Sequence, residues 1–77
     1  AKVQLGDKGR QALSDKIATL YNTGVYYFSA GEYEMAIEVW EEVLELDKRY
    51  DPAILGIKSA NAMLDMFRKI RESMFLE

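Results

Sequence analysis

Histidine and cysteine are both missing from the 77 residues, and proline occurs once. Without cysteine there is no disulfide framework, no thiolate nucleophile and no thiolate zinc ligand. Without histidine there is no imidazole general base and no imidazole metal ligand. Long hydrophobic runs are also missing: Glu, Lys, Arg or Asp interrupts the apolar stretches every few positions, short of the roughly 18 uninterrupted residues that a membrane span needs. An excess of positive charge is missing too. Ten Lys and Arg stand against 13 Asp and Glu, for a net charge of −3, which argues against a nucleic-acid partner, since that needs a net basic face. A cysteine-free chain suits cytoplasm and periplasm equally, so composition sets no compartment.

What is present is a globular composition, 49% apolar and 30% charged, too short for more than one domain. The opening Ala1-Lys2-Val3-Gln4-Leu5-Gly6-Asp7 lacks an initiator Met, an apolar signal-peptide centre and a helical period. Residues 1–7 therefore read as a flexible segment or linker, as expected of a piece of a longer or processed protein, and residues 8–77 as one helical domain.

Three segments carry a 3.6-residue apolar period between turn signals. The first runs from about Asp7 or Lys8 to Ala30, with Leu13, Ile17, Leu20, Tyr21, Gly24, Tyr27 and Phe28 on one side. Asp7 is its expected N-cap, and Gly31 its stop, because glycine takes the left-handed conformation that ends helices. The second runs from Tyr33 to Leu46 after a turn so short that it forces an antiparallel hairpin. Its stripe of Tyr33, Ala36, Ile37, Trp40, Val43 and Leu44, widened by Met35, Val39 and Leu46, is broad enough to touch two neighbours. Glu34, Glu38, Glu41, Glu42 and Glu45 cover the outward side. The third begins at Asp51-Pro52, read as N-cap and first helical residue, and continues through Ile54, Ile57, Ala60, Met63 or Leu64, Phe67, Ile70 and Met74. Arg68, Lys69 and Arg71 sit in its last third, where they complement the helix dipole.

The first two helices together carry a recurring pattern. Gly24 is a tiny residue where two helices cross, and Tyr27 follows one turn later. Gly31-Glu32-Tyr33 makes the turn, Ala36 is the small residue of the second helix, Trp40 the bulky aromatic, and Val43-Leu44-Glu45-Leu46-Asp47 the close. From Leu20 to Asp47 the chain resembles a tetratricopeptide repeat, a helix–turn–helix unit of 34 residues. It departs from that pattern at Lys48, where a proline usually stands. The resemblance implies an all-α fold, a helix-turn-helix hairpin of an alpha-alpha superhelix followed by a long third helix. Lys58 stands near the place of a second crossing glycine, and no fourth helix follows, so the third reads as a cap. Its overhang, Met66, Phe67, Ile70, Met74 and Phe75, needs a surface, which either Leu13 and Ile17 of the overlong first helix or a second chain could supply.

Catalytic, cofactor and metal sites are not expected. The nearest paired carboxylates, Glu38, Glu41, Glu42 and Glu45, lie on an exposed helix face where nothing raises a pKa. Gly6 and Gly9 are not framed as a phosphate loop, and Lys48, Arg49 and Tyr50 interrupt the Asp47–Asp51 loop where an oxygen-ligand metal site needs acids. The resemblance instead implies protein–protein interaction on a concave face including Tyr21, Asn22, Val25, Phe28 and Ser29. Of the residue types that clamp a C-terminal carboxylate, only Asn22 is among them, so an apolar groove for a protein or peptide is expected. The rival reading is homo-oligomerisation through Met63, Met66, Phe67, Ile70, Met74 and Phe75. A membrane-surface role for the basic tail is disfavoured by the small number of cations and the net acidic chain.

Overall fold

Trp40 sits between two glycines on two different helices, and the order of the fold follows from it. In a computed structural model, which describes residues 2–75 with side chains over 9–74, the helices are α1 (Lys2–Ser29), α2 (Tyr33–Leu46) and α3 (Asp51–Phe75). No strand occurs among the described residues. α2 is the middle layer, packed on α1 along one side and on α3 along the other, while α1 and α3 meet only slightly. The broad stripe of α2 is used in this way: Ala36, Trp40 and Val43 are buried between both neighbours.

The α1–α2 turn is built by backbone alone. Gly31 takes φ of +82°. Its N–H donates to the Phe28 carbonyl at 3.1 Å, and the Glu32 N–H donates to the Tyr27 carbonyl at 2.8 Å. This pair of bonds is a Schellman closure, which satisfies carbonyls that the helix end leaves free and needs a residue tolerant of left-handed backbone. The α2–α3 turn uses Asp47 instead: its side chain accepts from the Arg49 N–H at 3.1 Å, and its carbonyl accepts from the Tyr50 N–H at 3.2 Å. An aspartate that holds its own downstream backbone favours a turn over continued helix.

Several helix boundaries differ from those the sequence suggests. α1 starts at Lys2, not at Asp7. Gly6 and Gly9 each cost a helix about 1 kcal/mol relative to alanine, but once a helix is nucleated that cost lowers its stability without breaking it. α3 begins at Asp51, because the Tyr50 carbonyl accepts the first bonds, from Ala53 N–H at 3.1 Å and Ile54 N–H at 3.3 Å. Tyr50 therefore stands at the cap and Asp51 in the first turn, where its negative charge faces the positive end of the helix dipole.

The core is small, comprising Ile17, Ala36, Trp40, Val43, Ala53 and Ala60. Ala53 and Ala60 have no exposed surface at all, and with Gly56 they form the face of α3 that closes on α2. A Cβ added at Gly56 would lie 2.8 Å from Trp40 Cζ3; one added at Gly24 would lie 2.6 Å from Trp40 Cδ1. The crossing residue of α3 is thus Gly56, two positions before Lys58, which is exposed. Gly24, for its part, makes room for the Trp40 indole itself, which it meets before Ala36.

The two overhangs project from opposite ends. Helices of 28 and 25 residues span about 42 and 38 Å, yet the molecule is 69 Å long and only 13 Å thick. Its radius of gyration is 16.9 Å, against roughly 11–12 Å for a compact domain of this length. Ile17 and Leu13 lie beside Asp47 and Tyr50 at the α2–α3 turn. Phe67 meets Tyr33 at the other end, with ring centroids 5.9 Å apart. α1 therefore does not cover the tail of α3, contrary to one of the two expectations from sequence: with α2 reversing direction between them, the excess length of α1 and of α3 points apart.

Urea denaturation tests the two-glycine seat of the indole. Gly24→Ala and Gly56→Ala should each lower the unfolding free energy by about 1–3 kcal/mol, the range for overpacking a filled core. Gly9→Ala, with nothing within 4 Å of the added carbon, should instead raise it by roughly 0.5–1 kcal/mol. Equal effects at all three positions would show that the close approach to Trp40 is not what the glycines serve.

Candidate interaction groove

The parallel pair α1 and α3 leaves a shallow hollow with Trp40 of α2 at its floor. Tyr21, Val25 and Phe28 form one wall; Pro52, Leu55, Gly56 and Ser59 form the other. The hollow measures about 410 Å³ and no charged side chain lines it. Helical spacing explains the first wall, since residues three and four apart share a face. The same spacing, Pro52, Leu55 or Gly56, then Ser59, explains the second.

The aromatic floor is organised around the indole. Trp40 Nε1 donates to the Tyr21 carbonyl at 3.1 Å, so the one polar atom of a nearly buried ring is satisfied and its orientation is set. Tyr21 stacks on Trp40 with ring centroids 6.1 Å apart, and Phe28 lies 5.9 Å away on a tilted plane. Tyr50 meets the edge of Tyr21 at 5.7 Å, and Tyr33 meets the edge of Phe28 at 5.1 Å. Tyr21 and Phe28 are therefore half-buried, fixed by neighbours yet still facing the hollow. Val25 is 38% exposed and Leu55 62%.

Of the five residues expected on the concave face, the structure brings Tyr21, Val25 and Phe28 together in the hollow. Asn22 and Ser29 are exposed on the flank of α1 and do not line it. Pro52, Leu55 and Ser59 were not expected on this face from the sequence. A signal for them existed: Leu55, Ser59, Met66 and Ile70 lie on a second face of α3, apart from the Ala53, Ile57, Ala60 and Leu64 face that packs inward.

Along that second face lies the other candidate set. Met63 is half-buried, and Met66, Phe67, Ile70 and Met74 are exposed, at 45%, 46%, 50% and 73%. The Phe75 side chain lies outside the described residues. Met66, Lys69, Ile70, Ser73 and Met74 enclose an open hollow of about 370 Å³. The basic cluster beside it is partly engaged with Asp65: Arg68 Nη2 donates to Asp65 Oδ1, and Lys69 Nζ lies 3.5 Å from Oδ2. The Arg68 hydrogen bond, then the nearby charge of Lys69, hold the Asp65 carboxyl below its ordinary value of 3.8. Among the described residues, no three His, Cys, Asp or Glu side chains come together where a metal ion could be held, and no helix is long and apolar enough to cross a membrane.

Three helices running up, down and up, a glycine-seated aromatic and an apolar concave hollow define an all-α module of one hairpin and a long third helix. Residues 17–50, a little under half of the chain, match the tetratricopeptide repeat family. The match extends about three residues beyond each end of the Leu20–Asp47 pattern, to take in Ile17 of the core and Tyr50 of the cap. The chain is also 31% identical over 67 residues to a UPF0164 protein of Treponema pallidum (strain Nichols). That similarity covers 87% of this chain and 14% of the relative, so the chain spans a small part of the relative's length. No solved structure matches the chain. Tetratricopeptide repeats generally mediate protein–protein interaction and are typically non-enzymatic.

The Asp65 pairs set a pH dependence for the outer turns of α3. A carboxyl whose pKa is lower folded than unfolded contributes stability that is present above the ordinary value and lost as pH falls through the folded one. Thermal midpoints of the native chain and of Asp65→Asn should therefore differ at neutral pH and converge below 3.8. The difference should also shrink with salt, because both pairs are exposed. A gap that persists at the lowest pH would rule out the charge as its cause.

Proposed function

We propose that this chain is a non-enzymatic interaction module that holds an apolar segment of a partner protein in the hollow between α1 and α3. The observation that carries this reading is the lining: three side chains of α1 and Leu55 of α3 face one another across a Trp40 floor, with no charge among them. Apolar surface that remains open, concave and pre-ordered is what a helix or extended segment of a partner uses for docking. Tyr21 and Phe28 are already held in place by Trp40, so little side-chain freedom is lost on binding. A clamp for a C-terminal carboxylate is disfavoured, as the wall offers no Lys or Arg.

Homo-oligomerisation is the second reading, favoured by the exposed Met66, Phe67, Ile70 and Met74. It differs from the first in its concentration dependence. Sedimentation equilibrium over roughly a hundredfold range should return the mass of one chain throughout if the module binds foreign segments, and a rising mass if copies pair.

Val25→Asp and Leu55→Asp test the groove directly, because both side chains are exposed and outside the core. Each should weaken capture of an apolar peptide, read from Trp40 fluorescence, by about tenfold or more, or roughly 1.4 kcal/mol. The thermal midpoint should stay nearly unchanged. Unaltered peptide affinity in both variants would remove the groove from consideration.

A further inference from the structure

Six aromatic rings form one unbroken chain through the three helices: Phe67, Tyr33, Phe28, Trp40, Tyr21 and Tyr50, with successive centroids 5.1–6.1 Å apart. Both ends of the chain belong to α3: Tyr50 precedes its first residue, Asp51, and Phe67 meets Tyr33 far along the helix. Phe28, Trp40 and Tyr21 line the groove; Tyr50, Tyr33 and Phe67 do not. Each groove ring on α1 therefore has two ring neighbours, Trp40 beneath and one ring outside the lining. The outer contacts are edge-on, with interplanar angles of 63° for Tyr21–Tyr50 and 75° for Phe28–Tyr33, against 27° and 39° for the contacts with Trp40. An edge-on contact sets the positive rim of one ring against the negative face of the other, which fixes the tilt of the ring as well as its distance.

We infer that Tyr33 and Tyr50 are positioning residues for the groove, which hold Phe28 and Tyr21 at the angle an incoming apolar segment meets, and that Phe67 braces Tyr33 from α3. The inference rests on the groove reading above and deepens it by naming residues outside the lining that set its affinity. α1 and α3 meet only slightly, so their direct packing does not fix how the two walls stand to each other. The ring chain ties them instead. Tyr50 joins α3 to Tyr21 directly, and Phe67 joins it to Phe28 through Tyr33.

Affinity depends on these braces because a ring that turns freely must be stilled when a ligand docks on it. Each side chain immobilised on binding weakens association by roughly two- to tenfold, and a ring already held does not incur that loss. The contact is carried by the ring and not by the hydroxyl: neither the Tyr33 nor the Tyr50 hydroxyl hydrogen-bonds another described residue. Phenylalanine should therefore serve at either position and leucine at neither. The Tyr50 carbonyl that caps α3 belongs to the backbone and survives both substitutions.

Two measurements on the 77-residue chain test the inference: ring-flip rates of Tyr21 and Phe28 from NMR line shapes, and anisotropy titration of a labelled Leu/Ala amphipathic peptide. Tyr33→Leu should speed the flipping of Phe28 and not of Tyr21, Tyr50→Leu the reverse, and each should weaken peptide binding about two- to tenfold. Tyr33→Phe and Tyr50→Phe should keep native rates and native affinity. Val43→Ala is the control, since Val43 is fully buried in α2 and belongs to neither the groove lining nor the ring chain. It lowers stability by leaving a cavity and should leave both rings and the affinity as they are. Should a leucine variant fail to fold, Phe67→Leu, at a ring that is 46% exposed, frees Phe28 through Tyr33 and carries the test. Equal freeing of both rings by one leucine variant, or by Val43→Ala, would reduce the braces to general core packing and overturn the inference. Freed rings with unchanged affinity would overturn it as well and leave the groove reading standing. Failure of the native chain to bind the peptide would overturn the groove reading and the positioning role with it.

Discussion

Everything in this fold is arranged around one indole that is gripped on two sides. Trp40 is reached from α1 at Gly24 and from α3 at Gly56, and at neither place is there room for even a methyl group. A flat ring held between two backbones fills the space that three helices would otherwise have to fill with several side chains. That matters where only six hydrophobic residues are buried among the described ones. The hydrogen bond from the indole nitrogen to the Tyr21 carbonyl removes the one polar penalty of burying the ring and sets its rotation. A change in the ring, or in either glycine, is therefore felt by both helix pairs at once.

This central grip also decides the shape. Because α2 occupies the middle, α1 and α3 lie side by side with a shallow channel between them and Trp40 beneath. Repeat units of this kind bury their faces against neighbours, so a hairpin with one further helix leaves edges uncovered. The thickness of 13 Å and length of 69 Å reflect this: one layer of helices, with the excess of α1 and of α3 running out from opposite ends. The apolar surface that remains is concentrated along α3, beside the channel and beyond it.

Charge divides the molecule in a way that bears on partner choice. α2 carries five glutamates and no cation, and these face outward, away from the channel. The channel itself is uncharged, and on the tail of α3 Arg68 and Lys69 are paired with Asp65. Tyr21 and Phe28, pinned by stacking on Trp40, keep the channel open in the absence of any occupant.

Local chemistry made much of this legible in advance. Helix existence, the Gly31 stop, the extent of α2, the need for a tiny residue at Gly24 and the resemblance of residues 17–50 follow from spacing and turn residues, which act over a few positions and leave direct traces in sequence. Other features depended on distant contacts. Gly56, not the position of Lys58, serves as the crossing residue of α3, because the register of α3 against Trp40 is set by packing of the whole helix. The start of α1 at Lys2 was hidden behind Gly6 and Gly9, whose helix penalty is real but small beside propagation from a helix already formed. The far wall of the hollow, with Leu55 and Ser59, was overlooked because those residues lie off the core stripe. By itself, then, the sequence determined which segments are helical, where they turn and which face of α2 is shared. Only the tertiary structure decided that the free ends of α1 and α3 run out in opposite directions and that the two helices wall a hollow over Trp40, since both follow from the antiparallel reversal at α2, a relation between helices that no single helix encodes.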